Sequence, residues 1–238
     1  MRSFISEDDI EQALCDRLAQ PEYGWKRIEC DPSVDKQDDI SKTGRSSVAE
    51  CILPDVFRKA LLRINPQIDP ETIESIVREF RKDYTGTDMV DTNYKFYNKI
   101  RNGIKVKVRK QHHEDFDIVK LIDFDNIDNN DFHCVNQMWI KGHFNYRRPD
   151  VLLFINGLPV VFIELKNSTV KIDEAYQKNL ISYRKDIPNI FAFNQICVLS
   201  NGLLTKMEAW NAGYEYFFEW LRVDSEKEKI DRKKVAEF

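Results

Sequence analysis

Arg147-Arg-Pro-Asp150-Val-Leu-Leu-Phe-Ile155-Asn-Gly157-Leu-Pro-Val-Val-Phe-Ile-Glu164-Leu-Lys166-Asn167 is the stretch that decides how this chain is read. Two apolar runs meet at Asn156-Gly157, the sequence signature of a tight β-hairpin. Both runs are apolar at nearly every position, which predicts strands covered on both faces of a sheet. Yet an acid opens the first run, and Glu164-Leu165-Lys166 closes the second. Charges at the ends of buried strands are costly unless they bind something. Register sharpens the point. A regular two-residue turn pairs Ile155 with Leu158 and sets Asp150 opposite Ile163, leaving Asp150 and Glu164 on opposite faces. For the two acids to converge, the hairpin needs a three-residue connection or a bulge near 156–159. Pro159, which cannot donate to the ladder, fits such an irregularity.

A chain of 238 residues is long enough to bury a full core, as one decorated domain or one and a half. Its 42% hydrophobic and 32% charged content is that of a folded globular protein, not a disordered one. No apolar run approaches the ~20 residues of a membrane span. Glu7, Asp8 and Asp9 stand where a signal peptide needs its apolar core, so the expectation is a cytoplasmic protein with no membrane contact. The cysteines (Cys15, Cys30, Cys51, Cys134, Cys197) are odd in number and share no close spacing; they read as reduced core thiols, not a zinc site. A net charge of −4 rules out a global basic field, so any nucleic-acid contact must come from a local patch.

Ser6 with Glu7, Asp8 and Asp9 predicts a capped helix whose face carries Ile10, Leu14, Cys15 and Leu18, ending near Gln20-Pro21. Glu11 lies beside that face, where a lone helical acid reads as solvated. Residues 31–47 are polar and turn-rich and read as a surface loop. Two helices follow, from Leu53-Pro54 to Ile64 and from Asp69-Pro70 to Phe80, then a looser one over Asp91–Arg101 ending at Asn102-Gly103. Ile104–Lys110 alternates apolar and basic residues, a half-buried strand with a cationic outer face open to solvent or to phosphate. His112-His113 reads as a loop pair. Val119–Phe124 reads as a further strand, followed by a turn-forming run of Asp123, Asp125, Asp128 and Asp131 that lacks the glycine and terminal glutamate of a calcium loop. Phe132–Ile140 resumes strand character. After Lys166, a helix capped by Asp173 carries Tyr176, Leu180 and Tyr183 on one face, with Asn179 and Tyr183 an i, i+4 pair. Pro188 ends it, and Asn194–Ser200 is a buried strand, completing a strand–helix–strand crossover onto the hairpin. Leu221–Phe238 is charged and weakly periodic, a linker or frayed helix.

Two carboxylates and a lysine converging at one end of a sheet are what metal-assisted phosphodiester cleavage needs. Mg²⁺ takes hard oxygen ligands and keeps several waters. Asp150 and Glu164 offer two carboxylates and the Leu165 carbonyl a third oxygen, for an ion that polarises a phosphoryl oxygen and acidifies a water. Lys166, two residues after Glu164, projects on the same face, where its ammonium orients the water and steadies transition-state charge. It serves as a base only if its pKa falls considerably. The spacing alone is common in proteins. No Ser-His-acid signature and no phosphate-cradling GxxxxGK[ST] occur, so this stretch of chain is no nucleotide-driven motor.

The hairpin, from Arg147-Arg148-Pro149-Asp150 through Phe154-Ile-Asn-Gly-Leu-Pro159 to Ile163-Glu164-Leu-Lys166-Asn167, resembles the nuclease segment of type I restriction enzyme R subunits, which carry a PD-(D/E)xK core. The resemblance extends through Leu121-Ile-Asp-Phe-Asp125, Asn130-Asp-Phe132 and Asn136-Gln137 on one side. On the other it takes in Tyr183–Pro188, Phe191, Asn194-Gln195 and Ser200-Asn-Gly202. Leu53-Pro54 through Asn65-Pro66 is similar to the family's helical insertion. The resemblance implies an α/β fold of α+β character: a restriction-endonuclease-like core with a mixed central sheet flanked by helices and an N-terminal helical decoration. It divides the chain into a nuclease domain over 1–220, with a helical insertion at about 48–101 and a catalytic core at about 104–205, and a tail over 221–238 leading toward motor domains. It implies catalytic roles for Asp150, Glu164 and Lys166, with Mg²⁺ held by Asp150, Glu164 and the Leu165 carbonyl, and Mn²⁺ substituting.

Family members often carry Gln-x-x-x-Tyr on the following helix. Tyr183 fits, but Asn179 holds the glutamine position and Gln177 lies two residues earlier, so the DNA-positioning role is shared among Tyr183, Asn179, Gln177, Arg147 and Arg148. Glu11 matches the auxiliary acid of some such nucleases. Implied partners are double-stranded DNA, motor domains of the same subunit that use ATP, and methyltransferase and specificity subunits, in a bacterial or archaeal cytoplasm. The resemblance thus implies an endonuclease fragment weak or inactive by itself; the alternatives are a catalytically silent DNA-docking scaffold of the same fold, or a calcium module at Asp123–Asp131.

Overall fold

The computed structural model describes residues 5–31, 33, 35–110, 113–221 and 229. The chain opens with α1 (Glu7–Leu18), where the Ser6 hydroxyl accepts from the Asp9 N–H and the Asp9 carboxylate accepts from the Ser6 N–H, a capping box. β1 (Lys26–Glu29) and α2 (Lys36–Thr43) come next. α3 (Pro54–Ile64) and α4 (Pro70–Phe80) each begin on proline, and Asp69 caps the second by accepting from the Thr72 N–H. α5 (Met89–Asn102) stops at Gly103, whose φ is +75°.

β2 (Ile104–Lys110) and β3 (His113–Val119) form a ribbon of their own. β4 (Phe132–Asn136) is followed by the short pair β5 (Ile140–Lys141) and β6 (Tyr146–Arg147). The hairpin is β7 (Val151–Ile155) and β8 (Leu158–Leu165). α6 runs over 172–186, with a π-helical stretch at Ala175–Leu180. β9 (Ile196–Ser200), β10 (Thr205–Glu208) and β11 (Phe218–Glu219) complete the order.

Seven strands make one mixed sheet in the order β1-β4-β7-β8-β9-β10-β11, with β1/β4 and β8/β9 parallel and the other pairs antiparallel. Helices flank it, as the sequence led us to expect. Leu152, Phe154, Phe162 and Leu199 point to one face, in a core shared with Phe57, Phe80, Phe96 and Phe193. Val151, Leu153, Ile163 and Leu165 point to the other, under Ile10, Leu14 and Cys15 of α1. The central strands are thus covered twice, which is why they read as unbroken apolar runs.

The hairpin turn is tighter than one alternative allowed. Asn156 (φ 51°) and Gly157 (φ 81°) are both left-handed, as a two-residue type I′ turn requires, and Ile155 pairs with Leu158. The irregularity lies one step beyond. Phe154 pairs with Pro159 but Leu153 pairs with Val161, so Val160 is the extra residue of a β-bulge. The turn itself is buried: Asn156 donates to the Leu121 carbonyl at 2.9 Å and accepts from the Asp131 N–H at 2.7 Å. The Gly157 carbonyl accepts from the Leu53 N–H at 2.9 Å.

Several local expectations are corrected. Residues 31–47 are not all loop, because α2 forms there; its inward side is polar, with Asp39 accepting from the Trp139 N–H at 2.8 Å, so no apolar stripe marks it. The strand expected at Val119–Phe124 ends at Val119, and β3 lies earlier. Asp123 then folds the chain back by accepting from the Asp125 and Asn126 N–H groups, while Asp131 is tied to Lys26 and Arg63. Asp173 lies inside the first turn of α6; the N-cap is Lys171, without a side-chain bond. β1, β10 and β11 were not anticipated, being two to four residues long and half-exposed. His112 and nearly all of 221–238 lie outside the described residues.

A Cβ at Gly157 would stand 2.5 Å from the Leu53 carbonyl oxygen, in a backbone region that L side chains rarely adopt. Gly157→Ala should therefore cost at least about 2 kcal/mol, read as a lowered urea midpoint.

Candidate active site

The bulge at Val160 decides where the charges fall. With Val151 paired to Ile163, the next step sets Asp150 level with Glu164, so both carboxylates share the sheet face that α6 covers. The Asp150 Oδ2 atom accepts from the Leu165 N–H at 2.7 Å, fixing the acid across the strand end. Lys166 reaches back over the same spot: its Nζ lies 3.1 Å from Glu164 Oε1, 2.5 Å from the Leu165 carbonyl and 3.5 Å from Glu7 Oε2. Its backbone N–H donates to the Ser200 carbonyl at 2.8 Å. Asp150, Glu164, Leu165 and Lys166 are brought together as expected.

α6 contributes from above. Asn179, in the π-helical stretch, donates from Nδ2 to Glu164 Oε1 at 2.5 Å. The Tyr183 hydroxyl donates to the Arg148 carbonyl at 3.2 Å. Gln177 is exposed, so Asn179 and not Gln177 takes the position over the acid. π-helical turns insert a residue into the helical register and recur at functional sites.

Other expected residues divide. Glu11 is not solvated: it is 4% exposed, accepting from Asn136 Nδ2 at 2.8 Å and from Gln137 Nε2. Burial raises its pKa, against the Asn136 and Gln137 hydrogen bonds. An amphipathic helix pattern cannot show that an acid beside the apolar stripe has amide partners on another strand. Arg147 is taken by Asp186, its Nε 2.7 Å from Oδ2, which makes it a structural tie. Arg148 lies with its guanidinium 5.2 Å from the Trp139 ring centroid.

Gln137 is the residue whose place sequence reasoning missed. It sits at φ +58°, immediately after β4, and its Nε2 spans Glu11 and Asp150, 3.5 Å from Asp150 Oδ1. Left-handed backbone at a non-glycine residue is strained and clusters at functional sites, but nothing in the local sequence announces it.

The chain matches the family model "Type I restriction enzyme R protein N terminus" over residues 4–233. It is 31% identical over 233 residues to the type I restriction enzyme HindI endonuclease subunit of Haemophilus influenzae, covering 96% of this chain and 21% of that protein. A putative type I restriction enzyme MjaIXP endonuclease subunit of Methanocaldococcus jannaschii is 32% identical over 93% of this chain and 21% of its own length. The chain belongs to the type I restriction enzyme R protein N-terminal family. It spans about a fifth of the relatives it matches. No helix among the described residues of this R-protein segment is long and apolar enough to cross a membrane.

Electrostatics in this R-protein site are unbalanced. Asp150 is pushed up to about 6 by burial, with the Leu165 N–H and Lys166 pulling the other way. Glu164, 1% exposed, is pushed up to about 8 by burial and then by the Asp150 charge, with Lys166 opposing. The Asp150 charge thus favours the protonated form of Glu164. Burial works against the Lys166 ammonium, but Glu164 and Asp150 outweigh it and its pKa rises. Burial also drives the Tyr183 phenol far up, so it stays a donor. Among the described residues no three His, Cys, Asp or Glu side chains form a metal-ligand group; the acids that meet here are two, with Glu11 held one amide away.

Both acids have folded-state pKa values above their ordinary 3.8 and 4.5, so the folded protein holds protons that the unfolded chain releases. That contribution is complete below the ordinary values and is lost as pH rises through about 6 for Asp150 and about 8 for Glu164. Thermal melts in chelator should show Tm falling over this window, and Glu164→Gln should melt above wild type at its upper end, the gap closing at its lower end.

Proposed function

We propose that this chain is the nuclease region of a type I restriction endonuclease subunit, a Mg²⁺-dependent DNA endonuclease of the PD-(D/E)xK type. The observation that carries the reading is Glu164 Oε2, a buried carboxylate oxygen with no hydrogen-bond partner, beside the half-buried carboxylate of Asp150. An orphaned carboxylate oxygen is costly in a protein interior, and a cation removes the cost while returning both acids to their charged forms. Two carboxylates and the Leu165 carbonyl are hard oxygen donors, which fits Mg²⁺ with water completing its shell, and Mn²⁺ in its place.

Asp150, Glu164 and the Leu165 carbonyl would hold the ion, and Lys166 acts beside it. Bound there, the ion supplies a polarised phosphoryl oxygen and a water of lowered pKa. Asp150 keeps its orientation through the Leu165 N–H on Oδ2, which leaves Oδ1, 3.5 Å from Gln137 Nε2, as the oxygen to offer. Lys166, charged and anchored on Glu164, orients a water with its ammonium and stabilises charge growing on the phosphate. Asn179 fixes the Glu164 rotamer from α6. Tyr183 fixes the Arg148 carbonyl just ahead of Asp150.

In the full-length enzyme, ATP-driven motor domains of the same subunit deliver double-stranded DNA to this site, and methyltransferase and specificity subunits choose the sequence. A site fed by a motor needs little DNA affinity of its own, which accords with a chain of net charge −4.

Asp150→Ala, Glu164→Ala and Lys166→Ala should each lower plasmid cleavage by the assembled enzyme at least about 100-fold with folding retained. Normal cleavage by all three sinks the assignment. Titration calorimetry with Mg²⁺ or Mn²⁺ should show binding that Asp150→Ala removes; a silent scaffold shows none, and a calcium module at Asp123–Asp131 binds regardless of Asp150.

A further inference from the structure

The segment between Gln137 and Asp150 leaves the candidate site and returns to it. At its start, Gln137 touches Asp150; at its end, the Arg148 carbonyl is held by Tyr183. Between them stand β5 and β6, joined by Gly142-His-Phe144-Asn145 and paired Ile140 to Arg147 and Lys141 to Tyr146. We propose that this β5–β6 hairpin is the DNA-docking arm of the nuclease site, with Lys36, Lys141 and Arg148 on backbone phosphates and Phe144 against a sugar or base edge of the duplex. The inference rests on the nuclease reading above and extends it to a surface.

The arm is anchored, not loose. The Gly142 N–H donates to the Asn145 carbonyl at 2.8 Å, and the Lys141 N–H to the Val48 carbonyl at 2.9 Å. Asn145 Nδ2 lies 2.9 Å from Asp186 Oδ1 while Arg147 Nε takes the other carboxylate oxygen. A Cβ at Gly142 would stand 1.6 Å from the Asp186 carbonyl oxygen, so the arm presses backbone to backbone on the end of α6. What this anchoring presents is Phe144, 86% exposed at the tip, with the His143 ring edge-on at 4.3 Å. A large apolar side chain carried in solvent on an anchored turn beside a site needs little ordering of its backbone to make contact.

Charge selects the partner. Positions 138–149 contain no Asp or Glu, in a chain with 40 of them, yet carry Lys141, Arg147 and Arg148. Acids that the fold brings close are held by other partners: Asp186 by Arg147 and Asn145, Asp39 by the Trp139 N–H, and Glu11 by Asn136 and Gln137. The remaining cations rest on rings: Lys36 Nζ is 4.7 Å from the Trp139 centroid and 5.0 Å from Tyr146, and Lys141 Nζ is 5.6 Å from Tyr146. Arg148 shares Trp139 from 5.2 Å. A ring steadies an ammonium without neutralising it, so the arm is a positive, aromatic platform on a negative protein. Polyanionic backbone with apolar sugars and bases is the complement of such a surface.

The test places a photoreactive benzoyl-phenylalanine at Phe144, and separately at Glu7 beside Lys166, in the intact subunit carrying Glu164→Gln, and irradiates it with a labelled DNA duplex. Cross-links from both positions are expected. Lys36→Ala with Lys141→Ala should cut the yield at Phe144 about tenfold at physiological salt and lower the salt-dependence slope of binding by about two. DNA captured at Glu7 but not at Phe144 overturns the arm and leaves the nuclease reading standing; capture at neither position overturns both. Phe144 is a solvent-exposed tip, and matching melting curves confirm that the probe leaves folding intact.

Discussion

Val160 is one residue more than the hairpin's partner strand can match, and where that surplus is absorbed decides whether Asp150 and Glu164 meet. Had β7 and β8 paired without a bulge, Asp150 would face Ile163, and the two acids would lie on opposite faces of a sheet covered on both sides. The bulge between Phe154 and Leu153 shifts the outer half of β8 by one position. Asp150 and Glu164 then meet under α6, and Leu165 turns its N–H to the Asp150 carboxylate. The tight turn and the bulge are both needed: the turn packs Gly157 against the start of α3, and the bulge then corrects the register that such a turn imposes.

Converging two acids in a nearly dry place has consequences for everything around them. Desolvation raises both carboxyl pKa values, helped by the Glu11 and Glu7 charges at Asp150 and by the Asp150 charge at Glu164, and the single ammonium of Lys166 does not offset them. Neighbouring elements accordingly supply donors: Asn179 from the π-helical stretch, Gln137 from a strained backbone, Tyr183 one step back. Gln137 does so from a left-handed backbone and Asn179 from a π-helical turn. The strain at Gln137 is of a size, about 1–3 kcal/mol, that the doubly covered core of Phe57, Phe80, Phe154, Phe162 and Phe193 can hold in place.

The same core lets a protein of net negative charge carry a positive rim. Asp186 shows how. It lies at the end of α6, the helix that also carries Asn179 and Tyr183, and it ties down Asn145 and Arg147 of the β5–β6 pair. One helix therefore sets both the ceiling over the acids and the position of the basic, aromatic hairpin beside them.

The sequence by itself determined the hairpin, the helices α1 and α4 with their Ser6 and Asp69 caps, the helices α3 and α5, the crossover through α6, and the identity of Asp150, Glu164 and Lys166 as the residues to explain. These are written in local signals: Asn-Gly, Asp-Pro, apolar periodicity, and charges where strands should be apolar. It even required an irregularity near Pro159. Where a structure rests on polar contacts between distant segments, the sequence was mute. α2 packs through Asp39, Glu11 is buried by amides on the far side of α1, Arg147 is spent on Asp186, and Gln137 holds a conformation its neighbours in sequence do not request. Only the tertiary structure decided these, because a polar residue's burial depends on the partner that satisfies it, and that partner lies tens of residues away.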